Sequence, residues 1–155
     1  MDSDLRELYN EKLLALAAED PLGGRLDSPQ ATAKVTSPLC GSRITVDLSL
    51  SAGKVSDYGQ VVRACTLGRA SATVMAQHVL GATPQELRRQ RDAMRGVLKQ
   101  GEHPPPEAWP EIELFLPAKD FKSRHGSVML AFDAVVKALD GIEAGEQAGE
   151  ETGTG

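Results

Sequence analysis

Cysteine is scarce: Cys40 and Cys65 are the only two in 155 residues. That excludes a small fold stapled by a disulfide framework, which needs four or more. Aromatic residues make up 4% of the chain, so the core must be built from Leu, Val, Ala and Met. No cluster of aromatic and basic residues offers a stacking platform for nucleic acid. No stretch approaches the ~18 apolar residues of a membrane span. The opening Met1-Asp-Ser-Asp-Leu-Arg-Glu7 lacks the basic and then apolar segments of a secretory leader. Positive charge is missing too. The formal charge is -5, and Glu143, Glu146, Glu150 and Glu151, which have no basic neighbours, account for all but -1 of it. A near-neutral body has no electrostatic footprint for nucleic acid. No membrane or nucleic-acid partner is expected, and the chain reads as cytoplasmic. In that reducing setting an adjacent cysteine pair is more often a metal or redox site than a structural disulfide.

The length suits one domain with a real core. Leu5, Leu8, Tyr9, Lys12/Leu13, Leu16 and Ala17 recur at helical spacing until Pro21 and Gly23-Gly24. After a linker from Gly23 to Pro29, Ala31, Ala33 and Val35 alternate with polar residues as a first strand. Arg43 to Leu50 alternates in the same way, turns at Ser51-Ala-Gly-Lys54 and returns through Val55 to Ala64. Beyond Cys65 the period becomes helical: Leu67, Ala70, Ser71, Val74, Met75, His78 and Val79 share a face, and Gly81 ends the run. Thr83-Pro-Gln-Glu86 is a capping box with Pro84 at the first helical position, and it opens a helix whose core face is Leu87, Gln90/Arg91, Met94, Val97 and Leu98. Gly101 and Pro104-Pro-Pro106 stop that helix, and residues 102 to 117 read as irregular, with Trp109 and at most a short helical turn. Val128, Phe132, Val135, Val136 and Leu139 define a last helix beginning near Asp120 to Ser123. These elements predict an α+β domain over 1–140: an N-terminal helix and a three-stranded antiparallel sheet with helices on one face. The Gly- and Glu-rich residues 141–155 are expected to be a disordered acidic tail.

If the hairpin turns on Ala52-Gly53 and Leu50 faces Val55, an unbulged ladder sets Cys40 opposite Cys65 just past the strand ends. Cys65 also falls at the start of a helix. Unpaired N–H groups and the helix dipole favour thiolate there, and Arg63 and Arg69 lie nearby in sequence. Thiolate is the form that ligates iron or zinc and accepts a sulfur atom. The competing reading is two buried thiols acting as small hydrophobes.

Leu39-Cys-Gly-Ser-Arg-Ile-Thr-Val-Asp-Leu-Ser-Leu50 and Ala64-Cys-Thr-Leu-Gly-Arg-Ala-Ser-Ala-Thr-Val-Met-Ala-Gln-His-Val-Leu-Gly-Ala-Thr83 resemble the U-type iron-sulfur cluster assembly scaffold family. That family includes the IscU and SufU scaffolds and the N-terminal domain of NifU. Leu8-Tyr9, Gly24-Arg-Leu-Asp27 and Phe121-Lys-Ser-Arg-His-Gly-Ser-Val-Met-Leu-Ala-Phe132 look like the SufU branch, as does the insertion around 95 to 117. The resemblance implies a non-enzymatic scaffold that binds iron or a nascent [2Fe-2S] cluster through Cys40 and Cys65. Its partners would be a cysteine desulfurase and recipient apo iron-sulfur proteins. Two positions depart from the family pattern: its acidic residue falls on Ser42 and its third cysteine on Ser127. The histidine of the IscU branch falls on Gly126, with His125 one residue earlier, and the basic residue of the SufU branch falls on Arg124.

Serine is a hard, weakly acidic ligand, whereas clusters and structural zinc take thiolate or imidazole. Three repairs are open: His125 as a third ligand, two subunits pooling four thiolates as a homodimer, or a shell completed transiently by solvent or a partner. The resemblance also admits a zinc-binding sulfurtransferase accessory to the desulfurase, or a degenerate paralogue that acts only by protein interaction. His78, where the family usually has tryptophan, is read as a packing residue, and His103 is assigned no role. Arg88, Arg89, Arg91, Arg95 and Lys99 on one helix are either a solvated face or a docking surface for the desulfurase.

Overall fold

The computed structural model describes residues 10–39 and 41–152 and, over 146–152, the backbone alone. Helix α1 (Glu11–Ala18) begins at Asn10, whose side chain accepts the Leu13 N–H at 3.0 Å, and buries Leu13, Leu16 and Ala17. Leu5, Leu8 and Tyr9, expected on the same face, lie outside the described residues.

Strands β1 (Ala31–Thr36), β2 (Arg43–Ser51) and β3 (Lys54–Arg63) form an antiparallel sheet in chain order. Period 2 sends Ile44, Val46 and Leu48 to one face, where they are buried under helix α4 (Lys122–Thr152). Helix α2 (Thr66–His78) packs between α1 and α4, and helix α3 (Pro84–Gln100) lies on α4 and on a 3-10 helix (Pro110–Asp120). The α+β architecture is the one expected. Among the described residues no helix is long and apolar enough to cross a membrane.

The hairpin turns where predicted. Ala52 and Gly53 have φ of 54° and 77°, the pair of left-handed values that a two-residue hairpin turn requires. Leu50 faces Val55 and Ser51 faces Lys54, but Ser49 then faces Asp57, so Ser56 is an extra residue in β3. From there to Arg43 opposite Arg63 the ladder runs one position out of the unbulged register. A single bulge displaces every pair beyond it, so the unbulged register from which the opposition of Cys40 and Cys65 was expected does not hold within the strands.

The second face of the sheet is covered by the linker. Asp47, fully buried on β2, accepts the Arg25 guanidinium, the Thr32 hydroxyl and the Leu26 N–H. Burial alone would raise the Asp47 carboxyl, but the Arg25, Thr32 and Leu26 hydrogen bonds outweigh it and hold the group below its ordinary value.

Thr83 caps α3 by accepting the Glu86 N–H at 3.1 Å, and Gly101 ends it with φ 65°. Leu87, Gln90, Met94, Val97 and Leu98 are buried as the spacing required. The segment after it is more regular than expected, with eleven residues in the 3-10 helix. Gln90 fastens its approach, donating to the Glu107 carbonyl at 3.1 Å and accepting the Trp109 N–H at 2.8 Å. Helix α4 starts near the predicted point and passes through Gly141, where the tail was expected to begin. Ile142 is buried, and Glu143 pairs with Arg88, which also pairs with Asp140. Arg91 and Arg95 on α3 likewise pair with Asp92 and Asp133. Arg88, Arg91 and Arg95 of the basic run are therefore paired within the molecule.

Candidate functional site

Cys65 is the N-cap residue of α2, where β3 hands over to the helix, and its carbonyl accepts the Arg69 N–H at 3.0 Å. Its side chain makes no capping bond and is half-buried. The thiol instead lies 3.1 Å from the Ser127 hydroxyl on the first turns of α4. Ser127, fully buried, is also 3.4 Å from the Ser42 hydroxyl, to which it donates. One sulfur and two hydroxyls thus converge from three separate elements.

Each partner is held by local backbone features. Ser42 closes a tight loop between β1 and β2: the Ser37 N–H donates to the Ser42 carbonyl at 2.7 Å, and the Gly41 N–H donates to the Ser37 carbonyl at 2.9 Å. Cys40, inside that loop, lies outside the described residues. Ser127 reaches Cys65 because α4 runs very close to α2. A Cβ at position 68 would come 2.5 Å from Ser127 Oγ and 2.7 Å from Ala64 Cβ, so only glycine leaves the room. Gly126 plays the same part against the β1–β2 loop, where a Cβ would meet Ser37 Oγ at 2.5 Å.

His125 turns elsewhere. It is buried, and its Nε2 sits 2.9 Å from the Ala118 carbonyl and 3.1 Å from that of Lys119. Both are acceptors, so Nε2 carries a proton. Nδ1 is buried and has no hydrogen-bond partner among the described residues. Among the described residues, which exclude Cys40, no three His, Cys, Asp or Glu side chains gather as a metal site. Arg69 is also drawn away, donating to the Ala17 carbonyl at the end of α1. His78 packs as read from the sequence: it stacks on Trp109 with ring centroids 4.7 Å apart and meets Glu111 at 2.8 Å. His103 is exposed beside Glu113.

Chemically, the cluster offers a sulfur nucleophile or ligand that solvent can reach, backed by two hydroxyls able to hydrogen-bond to whatever the sulfur carries. Sequence reasoning named Cys65, Ser42 and Ser127 but gave Gly68 no role and named Gly126 only as the place of a missing histidine. An isolated glycine inside a helical pattern, as at 68, is the available signal of close approach.

No family model matches the chain. It is 26% identical over 137 residues, 88% of its length and 86% of the relative's, to the iron-sulfur cluster assembly scaffold protein IscU of Streptococcus pyogenes serotype M1. The crystal structure of the N-terminal part of a nitrogen-fixing NifU-like protein from Brucella abortus matches with a TM-score of 0.88. Its sequence identity is 42%, over 91% of this chain and 98% of that one. The SUF-system scaffold from Fervidobacterium islandicum AW-1 shares the fold at 19% identity, with a TM-score of 0.79 over 86% of this chain and 98% of that one. At 42% identity over nearly the whole of both chains, and with the same fold, the chain belongs to the U-type iron-sulfur cluster assembly scaffold family.

Proposed function

We propose that this protein carries a nascent iron-sulfur cluster as cargo, with Cys40 and Cys65 as its thiolate ligands and no turnover of its own. The observation that supports this most directly is the accessible Cys65 sulfur at the head of α2, 3.1 Å from Ser127, with Ser42 and the Cys40-bearing loop beside it. A sulfur that is half-buried and free of capping duty is available to a metal.

The donor set sets a limit. Two thiolates are half of the four ligands that a [2Fe-2S] cluster or tetrahedral zinc requires. His125 does not complete the set in this reading, although an Nε2–H given to the Ala118 and Lys119 carbonyls would leave Nδ1 as the nitrogen it could offer a metal. Residues two apart on a helix point about 200° apart, which turns it from the side that Ser127 shares with Cys65. Two chains pooling their cysteines supply all four ligands, so the cluster-bound form is a homodimer. Sulfur then comes from a cysteine desulfurase and the cluster passes to apo-proteins, in the cytoplasm.

Anaerobic purification followed by iron, zinc and acid-labile sulfide analysis per chain tests this. The expected result is equal iron and sulfide at about one of each per chain, as a shared [2Fe-2S] cluster requires, lost on Cys40→Ala or Cys65→Ala. One zinc per chain without sulfide overturns it in favour of the sulfurtransferase accessory. No metal under any condition leaves the interaction-only paralogue.

A further inference from the structure

We infer that His125 is a positioning residue, a strut that ties the end of the 3-10 helix to the first turn of α4 and so holds Ser127 against Cys65. Only its consequence for cluster binding rests on the function proposed above.

The last carbonyls of any helix lack partners within it, and leaving them buried without a donor is costly. At the end of Pro110–Asp120 the Phe121 N–H reaches the Ala118 carbonyl at 2.9 Å, and His125 Nε2 reaches both Ala118 and Lys119. One ring N–H therefore closes the 3-10 helix from the helix that follows it. Gly126 is pressed on Ser37 and Ser127 on Gly68, so the first turns of α4 are wedged between three elements. His125 holds the face that the β1–β2 loop and α2 do not. The far end of the 3-10 helix is fastened independently by His78 and Gln90.

The ring is held through Nε2, and the Nε2–H that matters can be reproduced by an amide. Glutamine places its Nε2 at nearly the reach of the imidazole Nε2, whereas phenylalanine fills the volume and donates nothing.

The test compares His125→Gln and His125→Phe in the full-length, metal-free protein, in a Cys40→Ala background so that Cys65 is the only thiol. Alkylation rate of Cys65 and hydrogen exchange over 110–130 are measured, and iron and sulfide per chain are measured with Cys40 restored. The Phe variant should raise the Cys65 rate by about tenfold, equivalent to about 1.4 kcal/mol, and speed exchange over 118–128. The Gln variant should stay within about twofold of wild type in both and keep its iron, on the strength of its retained donor. A Gln variant that behaves like Phe, or a Phe variant that matches wild type, overturns the strut. If Phe does not fold, the Gln result alone decides. Iron lost in the Gln variant with an unchanged thiol rate makes His125 a ligand and also overturns it. Iron absent from the wild type would sink the proposed function, while the thiol and exchange rates would still judge this inference.

Discussion

The two ends of helix α2 are built differently. At its C-terminal end His78 stacks on Trp109 and pairs with Glu111, and Gln90 brackets the chain on either side of Ala108 with two hydrogen bonds. At its N-terminal end Cys65 meets one hydroxyl at 3.1 Å, and a second hydroxyl stands 3.4 Å behind the first. The tail is fastened by a buried aromatic ring and bonds from several directions. The head relies on close backbone approach at Gly68 and leaves its sulfur accessible. The function proposed above would need this division: a sulfur that took up and released cargo could not be locked into the core, and rigidity would have to be supplied at the other end.

Substitutions can separate the two ends. Trp109→Ala removes the buried ring that His78 and Phe132 contact, and should cost about 3–5 kcal/mol of stability. Urea unfolding would show this, with iron per folded chain unchanged. If iron falls in proportion to stability, the ends are not independent. Gly68→Ala should cost less, about 1–3 kcal/mol, but act at the head. Its methyl displaces Ser127, so Cys65 alkylation should change several-fold while hydrogen exchange around Trp109 stays as it was. An unaltered thiol rate would mean that close approach at Gly68 does not set the site.

A smaller, pH-dependent effect is expected away from both ends. Asp47 has its carboxyl depressed in the folded state. The stability it provides is therefore fully present above the unfolded value near ~3.9 and is lost as pH falls through the folded value. Asp47→Asn should lose about 1–2 kcal/mol at pH 7, and the gap to wild type should close as the pH drops below about 4. A gap that persists at low pH would assign the effect to shape rather than to the carboxylate.

The local elements were legible because their signals are local. The Thr83 cap, the left-handed stop at Gly101, the apolar stripe of α2 and the Ala52-Gly53 turn each depend on a few neighbouring residues. The bulge at Ser56 was not legible: inserting one residue into a ladder leaves the alternation on either side intact, so the pattern reads the same with or without it. The helix beyond Gly141 was missed because a Gly- and Glu-rich sequence reads as unfolded until Ile142 is seen in the core and Glu143 against Arg88. In the site, both cysteines stood out, and Ser42 and Ser127 were marked by resemblance. The bonds that His125 makes were not, because its partners are backbone carbonyls and carry no side-chain signature.

What the sequence determined by itself is that Cys65 heads a helix, that a hairpin precedes it, and that only two thiols are available for any sulfur chemistry. What only the tertiary structure decided is the company that Cys65 keeps. Ser127 stands 62 positions further along the chain, and it meets the thiol because two glycines let three elements close to contact distance. Chain-local forces set the first kind of fact, and packing between distant segments sets the second.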